Sequence, residues 1–182
     1  AVLYWTWPNA SLMMDVESRQ VYTLTKTATT VTWAEAHDAC RALGPKWYLP
    51  TARTDQQFAL QSAALAFTTD DVPIALTRKR NYMPEYSWEA NYEIRVGLTT
   101  FLQWSTSTAA PDSDNSKKCV RMLSADNRHW ANGDCDTTAL YQNLLCERSS
   151  YDMSYTFSRV VVPDQMTSDF NLTVFDNTTL IH

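Results

Sequence analysis

Cys119-Val120-Arg121-Met122, then Trp130, then Cys135, then Leu144-Leu145-Cys146-Glu147: these residues, read in order, decide the fold. Two strand-like runs, Lys118–Leu123 and Leu144–Glu147, are separated by polar and aromatic segments rather than by a helical repeat. Three of the chain's four cysteines fall in this stretch, and the fourth is Cys40. None forms a Cys-x-x-Cys pair, so neither a zinc ribbon nor a thioredoxin-type site is supported. Sequence alone leaves three ways to pair four cysteines. Long irregular segments inside a compact domain need staples and usually carry function, and the cysteines flank such segments here.

Upstream, Thr32-Trp33-Ala34-Glu35 has the form of a capping box, in which hydroxyl and carboxylate satisfy each other's orphan amides. The run that follows places Trp33, Ala36, His37, Cys40 and Leu43 on one helical face, and Gly44-Pro45 stops it. Thr54-Asp55-Gln56-Gln57 is a second box and opens a helix carrying Phe58, Gln61 and Leu65, ending near Thr68. Two short helices are therefore expected. Residues 1–31 alternate polar and apolar with many threonines and read as strand and turn, and Val72–Leu76 and Arg95–Leu98 read as further strands.

The chain has 182 residues, 45% of them hydrophobic and 19% charged, enough for one domain with a real core. Its formal charge is −5, and no basic run exceeds Arg78-Lys79-Arg80, which excludes a nucleic-acid footprint. The longest nearly apolar stretch, Phe58 to Phe67, is broken by Gln61 and Ser62 and falls far short of a membrane span, so no membrane insertion by this segment is expected. Only three glycines occur, Gly44, Gly97 and Gly133, and no two are close, which excludes glycine-rich phosphate loops. Three N-x-S/T sequons stand at Asn9, Asn171 and Asn177, and with an even cysteine count they point to an oxidising, secretory compartment and to glycosylation. The chain begins at Ala1 without a leader and reads as a mature product or an excised fragment.

Taken together, Trp33 to Cys40, Leu49-Pro50, Trp104, Cys119 to Met122, Trp130, Cys135 and Leu144 to Glu147 resemble a C-type-lectin-like domain over roughly residues 18–149. The family's middle-strand motif is represented, in weakened form, by Pro73-Ile74-Ala75-Leu76. The resemblance implies an α+β fold, two helices flanking small antiparallel sheets with a long irregular loop region. It also implies two disulfides, Cys40 with Cys146 and Cys119 with Cys135. In the chain-entropy model such closures contribute about 5 and about 3 kcal/mol respectively. Residues 1–17 then form an N-terminal extension, and 150–182 a C-terminal extension or a linker to a further region.

Family members that bind sugar through calcium use two loop motifs, and this sequence departs from both. Glu-Pro-Asn or Gln-Pro-Asp is replaced by Ala110-Pro111-Asp112, and Trp-Asn-Asp by Trp130-Ala131-Asn132. Lys117, a cation, stands where an acidic residue is common. Calcium wants six to eight oxygens with several carboxylates among them, so the usual calcium–sugar site is expected to be absent, with no metal and no cofactor. Asp112, Asp114 and Asn115 form either an unorthodox oxygen cage or, as the plainer reading, a solvated turn. Tyr82, Tyr86, Trp88 and Tyr92, interleaved with Arg78, Arg80 and Arg95, lie where the long loop falls and have the chemistry of a recognition face. The plainer reading of these rings is that two of them, Trp88 first, fill the loop's own core. His37 reads as structural. His129, near Asp126, Asp134 and Asp136, comes with no nucleophile motif, so no enzyme is expected.

The resulting expectation is a non-enzymatic recognition module, secreted or the extracellular part of a cell-surface protein, that binds a protein or a glycan without the usual calcium site. A structural ectodomain of a larger surface or matrix assembly is the alternative, with self-assembly through the long loop or the C-terminal extension. A calcium-dependent lectin with a displaced site is a remote third.

Overall fold

The computed structural model describes residues 2–7, 10–15, 20–78, 86–89, 101–149 and 171–175. Its elements run β1 (Val2–Trp7), β2 (Ala10–Asp15), β3 (Gln20–Val31), α1 (Trp33–Ala42), β4 (Trp47–Tyr48), α2 (Asp55–Ala64) and β5 (Val72–Thr77). They continue with β6 (Ser87–Trp88), β7 (Cys119–Met122), β8 (Trp130–Gly133), β9 (Tyr141–Ser149) and β10 (Asn171–Phe175). One sheet has six strands in the order β10-β1-β2-β3-β9-β4, and the other has four in the order β6-β5-β7-β8. Neighbouring strands in both sheets run antiparallel.

Helix α1 starts where the sequence places it. Thr32 accepts from the Glu35 amide, and the Glu35 carboxylate accepts from the Thr32 amide, closing both halves of the box. Trp33, Ala36 and Cys40 are buried, His37 is half-buried, and Leu43, expected on the same face, is 45% exposed because the helix has ended at Ala42. In α2 the box is half-made: Thr54 caps the Gln57 amide, but the Gln57 side chain turns to accept from the Arg53 amide. The inward residues of α2 are Gln57 and Gln61, with Phe58 only partly buried. Gln61 is accommodated there by donating to the Thr51 carbonyl at 2.7 Å.

The core lies where α1 meets both sheets. The Trp33 indole donates to the carbonyls of Ile74 at 3.0 Å and Val120 at 3.2 Å, which pins α1 to β5 and β7. All six residues of β5 are buried, as a strand covered on both faces requires. Cys40–Cys146 joins α1 to β9 across 106 residues, and Cys119–Cys135 closes a span of 16. The Ala34 amide donates to the Cys135 carbonyl at 3.0 Å, so the short disulfide loop also rests on the start of α1.

Glu147, next to Cys146, is fully buried. Its carboxylate accepts from the Thr51 amide at 2.7 Å and from the Thr51 hydroxyl at 2.9 Å, fastening the loop after β4 to β9. Burial, set against those hydrogen bonds, pushes its pKa up to about 7. Arg128, also buried, donates to the carbonyls of Leu65, Thr68 and Asp70 and thereby terminates the turn that follows α2.

β1, β2 and β10 belong to the same sheet as β3, β9 and β4. β1 and β2 continue it outward from β3, and β10 pairs with β1 in the register Val2↔Phe175 to Thr6↔Asn171.

Candidate functional site

The loop before β7 runs over the end of β8, and three side chains hold it. Asn132 is on β8 and 6% exposed. Its Oδ1 accepts from the Asp112 amide at 2.6 Å, and its Nδ2 donates to the carbonyls of Asp112 and Lys117 at 2.8 and 2.9 Å. Arg78, just after β5 and buried, donates to the Asp114 carbonyl at 2.6 Å, and its guanidinium lies 5.9 Å from the centre of the Tyr86 ring. Lys117 closes the loop on itself by pairing with the Asp112 carboxylate.

The charges in this loop satisfy one another. Oδ2 of Asp112 takes the Lys117 ammonium and Oδ1 accepts from the Asp114 amide, and these two contacts hold its carboxyl below the usual range. Asp114 is held low by the Ser116 amide and hydroxyl, both of which donate to its Oδ1. The Lys117 ammonium is correspondingly raised by Asp112. Ser113, Asp114, Asn115 and Ser116 form the exposed rim, and Thr106 to Ala109 form a second exposed run nearby in the chain.

A calcium ion does not fit this donor set. Of the two carboxylates, one is neutralised by a tethered cation and the other is committed to Ser116. The single amide oxygen of Asn132 already accepts a main-chain N–H. With these oxygens already engaged and one of them paired with a cation, the loop falls short of the six to eight oxygens that calcium takes. Among the described residues no group of three His, Cys, Asp or Glu is placed to hold a metal ion.

The aromatic face expected from the sequence needs correction at two positions. Tyr86 and Trp88 are 6% and 3% exposed and lie inside the domain. Trp88 meets Trp130 edge-on at 5.5 Å, and Tyr86 meets Trp104 at 4.8 Å. Trp130, fully buried, is ringed by Trp88, Phe101, Trp104 and Phe58, each tilted by 70° or more. Large plates packed edge to face surround Trp130, and Tyr86 and Trp88 belong to the core rather than to an exposed face. Arg78, read from sequence as part of the same face, is likewise a buried support. Tyr82, Tyr92, Arg80 and Arg95 lie outside the described residues, as do Asn9 and Asn177. Asn171 falls on β10.

Asn132 is the loop-holding residue that the sequence alone undervalues. In the sequence it stands only as a lost calcium ligand. Its amide, with one acceptor and two donors, is also the group able to tie an N–H and two carbonyls at once.

The two described histidines, His37 and His129, are each engaged by neighbouring groups. His37 stacks on Trp33 at 5.4 Å, and burial lowers its pKa. His129 Nδ1 lies 2.8 Å from the Asp126 carbonyl. The hydroxyls of Ser105 and Ser107 donate straight to the Asp126 carboxylate at 2.5 and 3.1 Å. A serine bonded directly to a carboxylate has no base to take its proton, since that carboxyl is held low by these same bonds. Asp134 is committed to a turn, accepting from the amides of Thr137 and Thr138 and from the Thr138 hydroxyl.

Comparison with known proteins agrees with the geometry. No curated protein sequence matches the chain. Among solved structures, the C-type lectin CEL-I from Cucumaria echinata superposes with a TM-score of 0.56 at 15% identity, over 77% of this chain and 94% of that one. Human lithostathine gives 0.57 at 18% identity, over 78% and 89%. A calcium-independent type II antifreeze protein gives 0.56 at 15% identity, over 78% and 92%. At these identities the likeness shows a shared fold. The model of the lectin C-type domain matches residues 29–148, and the chain belongs to that family.

Proposed function

We propose that this domain is an extracellular recognition module that binds a protein or a glycan without calcium, through the rim of the loop between Asp112 and Lys117. The observation that carries this reading is the internal pairing of Lys117 with Asp112 above the Asn132 clamp. The chain supplies its own cation, and the loop is shaped before any ligand arrives. A preshaped loop spares the ordering cost that a floppy one would meet on binding. The exposed Ser113, Asn115 and Ser116 offer hydroxyl and amide groups for polar recognition, and small side chains there lose little rotamer freedom.

Two disulfides and three sequons support a secreted protein or the outer part of a cell-surface one. Among the described residues no helix is long and apolar enough to cross a membrane. The hydroxyl, carboxylate and imidazole groups around Asp126 are committed to one another and to the main chain, which supports a module that is not an enzyme. The solved antifreeze protein described as calcium-independent is a case of this fold working without the ion.

The test is a thermal melt in millimolar calcium and in chelator, with binding to immobilised glycans and candidate proteins measured in both. A ligand of the folded state raises stability as its concentration exceeds its dissociation constant. The expected result is superimposable melts and binding that chelator leaves unchanged. A clear upward shift in calcium would overturn the reading and make a calcium-dependent glycan the ligand.

A further inference from the structure

We propose that the Cys119–Cys135 bridge is a redox switch for the loop between Asp112 and Lys117. A dithiol reductant opens it from the Cys135 side, and the loop loosens while Cys40–Cys146 keeps the domain folded. The inference rests on the reading of that loop as the recognition rim.

The two bridges differ in access. Cys40 and Cys146 are both 0% exposed, held between α1 and β9 in the core. Cys119 is buried at the start of β7. Cys135 lies beyond the end of β8, is only partly buried, and leads into the exposed run Asp136–Leu140. Thiol–disulfide exchange begins with a thiolate reaching one of the two sulfurs, so access decides which bridge yields.

The charges around the two sulfurs are unequal. Asp134 and Asp136 flank Cys135, and the Asp134 carboxyl is held well below its usual range by Thr137 and Thr138. Lys117 and Lys118 precede Cys119, and the Arg121 guanidinium lies against Gly133, the residue facing Cys119 across the ladder. Negative neighbours disfavour a thiolate at Cys135, and positive ones favour it at Cys119. A thiol of lower pKa is the better leaving group. The reductant's thiolate therefore bonds to the Cys135 sulfur, the S–S bond breaks, and its electron pair leaves with Cys119, which takes a proton from water. The reductant's second thiol then attacks the mixed disulfide and releases Cys135. Both protein sulfurs end as thiols, and the dithiol ends as a disulfide.

The bridge stands where the loop is anchored. Cys119↔Gly133 is the last pair of β7 with β8, and Asn132, beside it, holds the Lys117 carbonyl. On the other side the Arg78 amide donates to the Lys118 carbonyl at 2.8 Å. Ladder ends open more readily than their middles, and this end carries a covalent staple. Once the staple is cut, hydrogen bonds alone keep Asn132 and the loop together.

The experiment uses the full oxidised chain with dithiothreitol as the probe. Freed thiols are alkylated over time and assigned by peptide mass, and amide exchange is followed in the same samples. Expected are Cys119 and Cys135 alkylated at least about tenfold faster than Cys40 and Cys146, with exchange at least about tenfold faster across residues 112–119 and α1 and β9 still protected. A monothiol at low concentration should be trapped on Cys135, leaving Cys119 as the free thiol. Cys119→Ser combined with Cys135→Ser should reproduce the loosened loop without reductant. Opening of Cys40–Cys146 first or at an equal rate would overturn the proposal, as would trapping on Cys119. A loop that exchanges no faster in the reduced chain would overturn it too. Binding to the immobilised glycans and candidate proteins separates this inference from the reading beneath it, and the opened chain should bind about tenfold more weakly or worse. A loosened loop with unchanged binding would overturn the rim reading, and control of binding with it, while the order of reduction would stand.

Discussion

The substitution Glu147→Gln should remove the main pH dependence of stability between mildly acid and mildly alkaline solution. Glu147 is fully buried, and its folded-state pKa stands at about 7 against an ordinary 4.5. A raised pKa means that the folded chain holds its proton while the unfolded chain releases it. The stabilisation is therefore complete below the unfolded value and is lost as pH rises to the folded one. The interval between the two values corresponds to about 3 kcal/mol lost on going from about pH 4.5 to above about pH 7. The substituted glutamine would keep both contacts to Thr51, its carbonyl accepting from the amide and its NH2 donating to the hydroxyl. It has no proton to lose. His37, whose lowered pKa acts in the opposite sense, is common to both proteins and cancels in their difference. Urea unfolding of both, across that pH interval at constant m-value, should show the variant nearly matching wild type at the acid end and gaining on it as pH rises. A wild-type-minus-variant difference that stays flat with pH would refute the reasoning, and would mean that the Thr51 donors keep the carboxylate ionised despite burial.

Two further substitutions probe the loop and its support. Asn132→Ala strips the loop of three hydrogen bonds and leaves the Asp112 N–H and two carbonyls to find water. It should cost about 1–3 kcal/mol and raise amide exchange across residues 112–117, with little change in β5 or β7. Unchanged exchange there would show that Lys117 and Arg78 suffice. Gly133→Ala would place its Cβ 2.6 Å from the Arg121 guanidinium, which is held by Asp71. The guanidinium end must shift to clear the methyl group, which loosens its pairing with Asp71, so the unfolding midpoint should fall by an amount equivalent to up to about 1 kcal/mol. An unaltered midpoint would mean that Arg121 moves freely and that its ion pair contributes nothing.

What sequence could show was local or covalent. The Thr32–Glu35 box needs only a few residues in register, and the cysteine order is set by covalent chemistry. The half-made box at Thr54 shows the limit, because Gln57 has a second amide, that of Arg53, within reach. The aromatic positions mark a different limit. Tyr and Trp have the composition of a binding face and of a core equally, and only the approach of Trp104 and Trp130 to Tyr86 and Trp88 decides between them. The departures from the family's calcium motifs are read directly at Ala110, Lys117 and Asn132. That Lys117 and Asn132 also hold the loop closed is not legible there, since the clamp links β8 to a segment 15 to 20 residues away. The pairing of β1 with β10 is less legible still, because the two strands are so far apart along the chain.

That last pairing has a mechanical consequence. Val2 faces Phe175 in an antiparallel ladder, so a pull applied through the chain at these two residues acts at the same end of the ribbon. The hydrogen bonds between β1 and β10 would then be loaded one pair after another, a tearing geometry, instead of being sheared together. The ribbon should open at low force and lengthen the chain, while the segment between Cys40 and Cys146 stays locked by its covalent bridge. Under tension, the flanking strands act as a fuse and the lectin domain stays folded behind it.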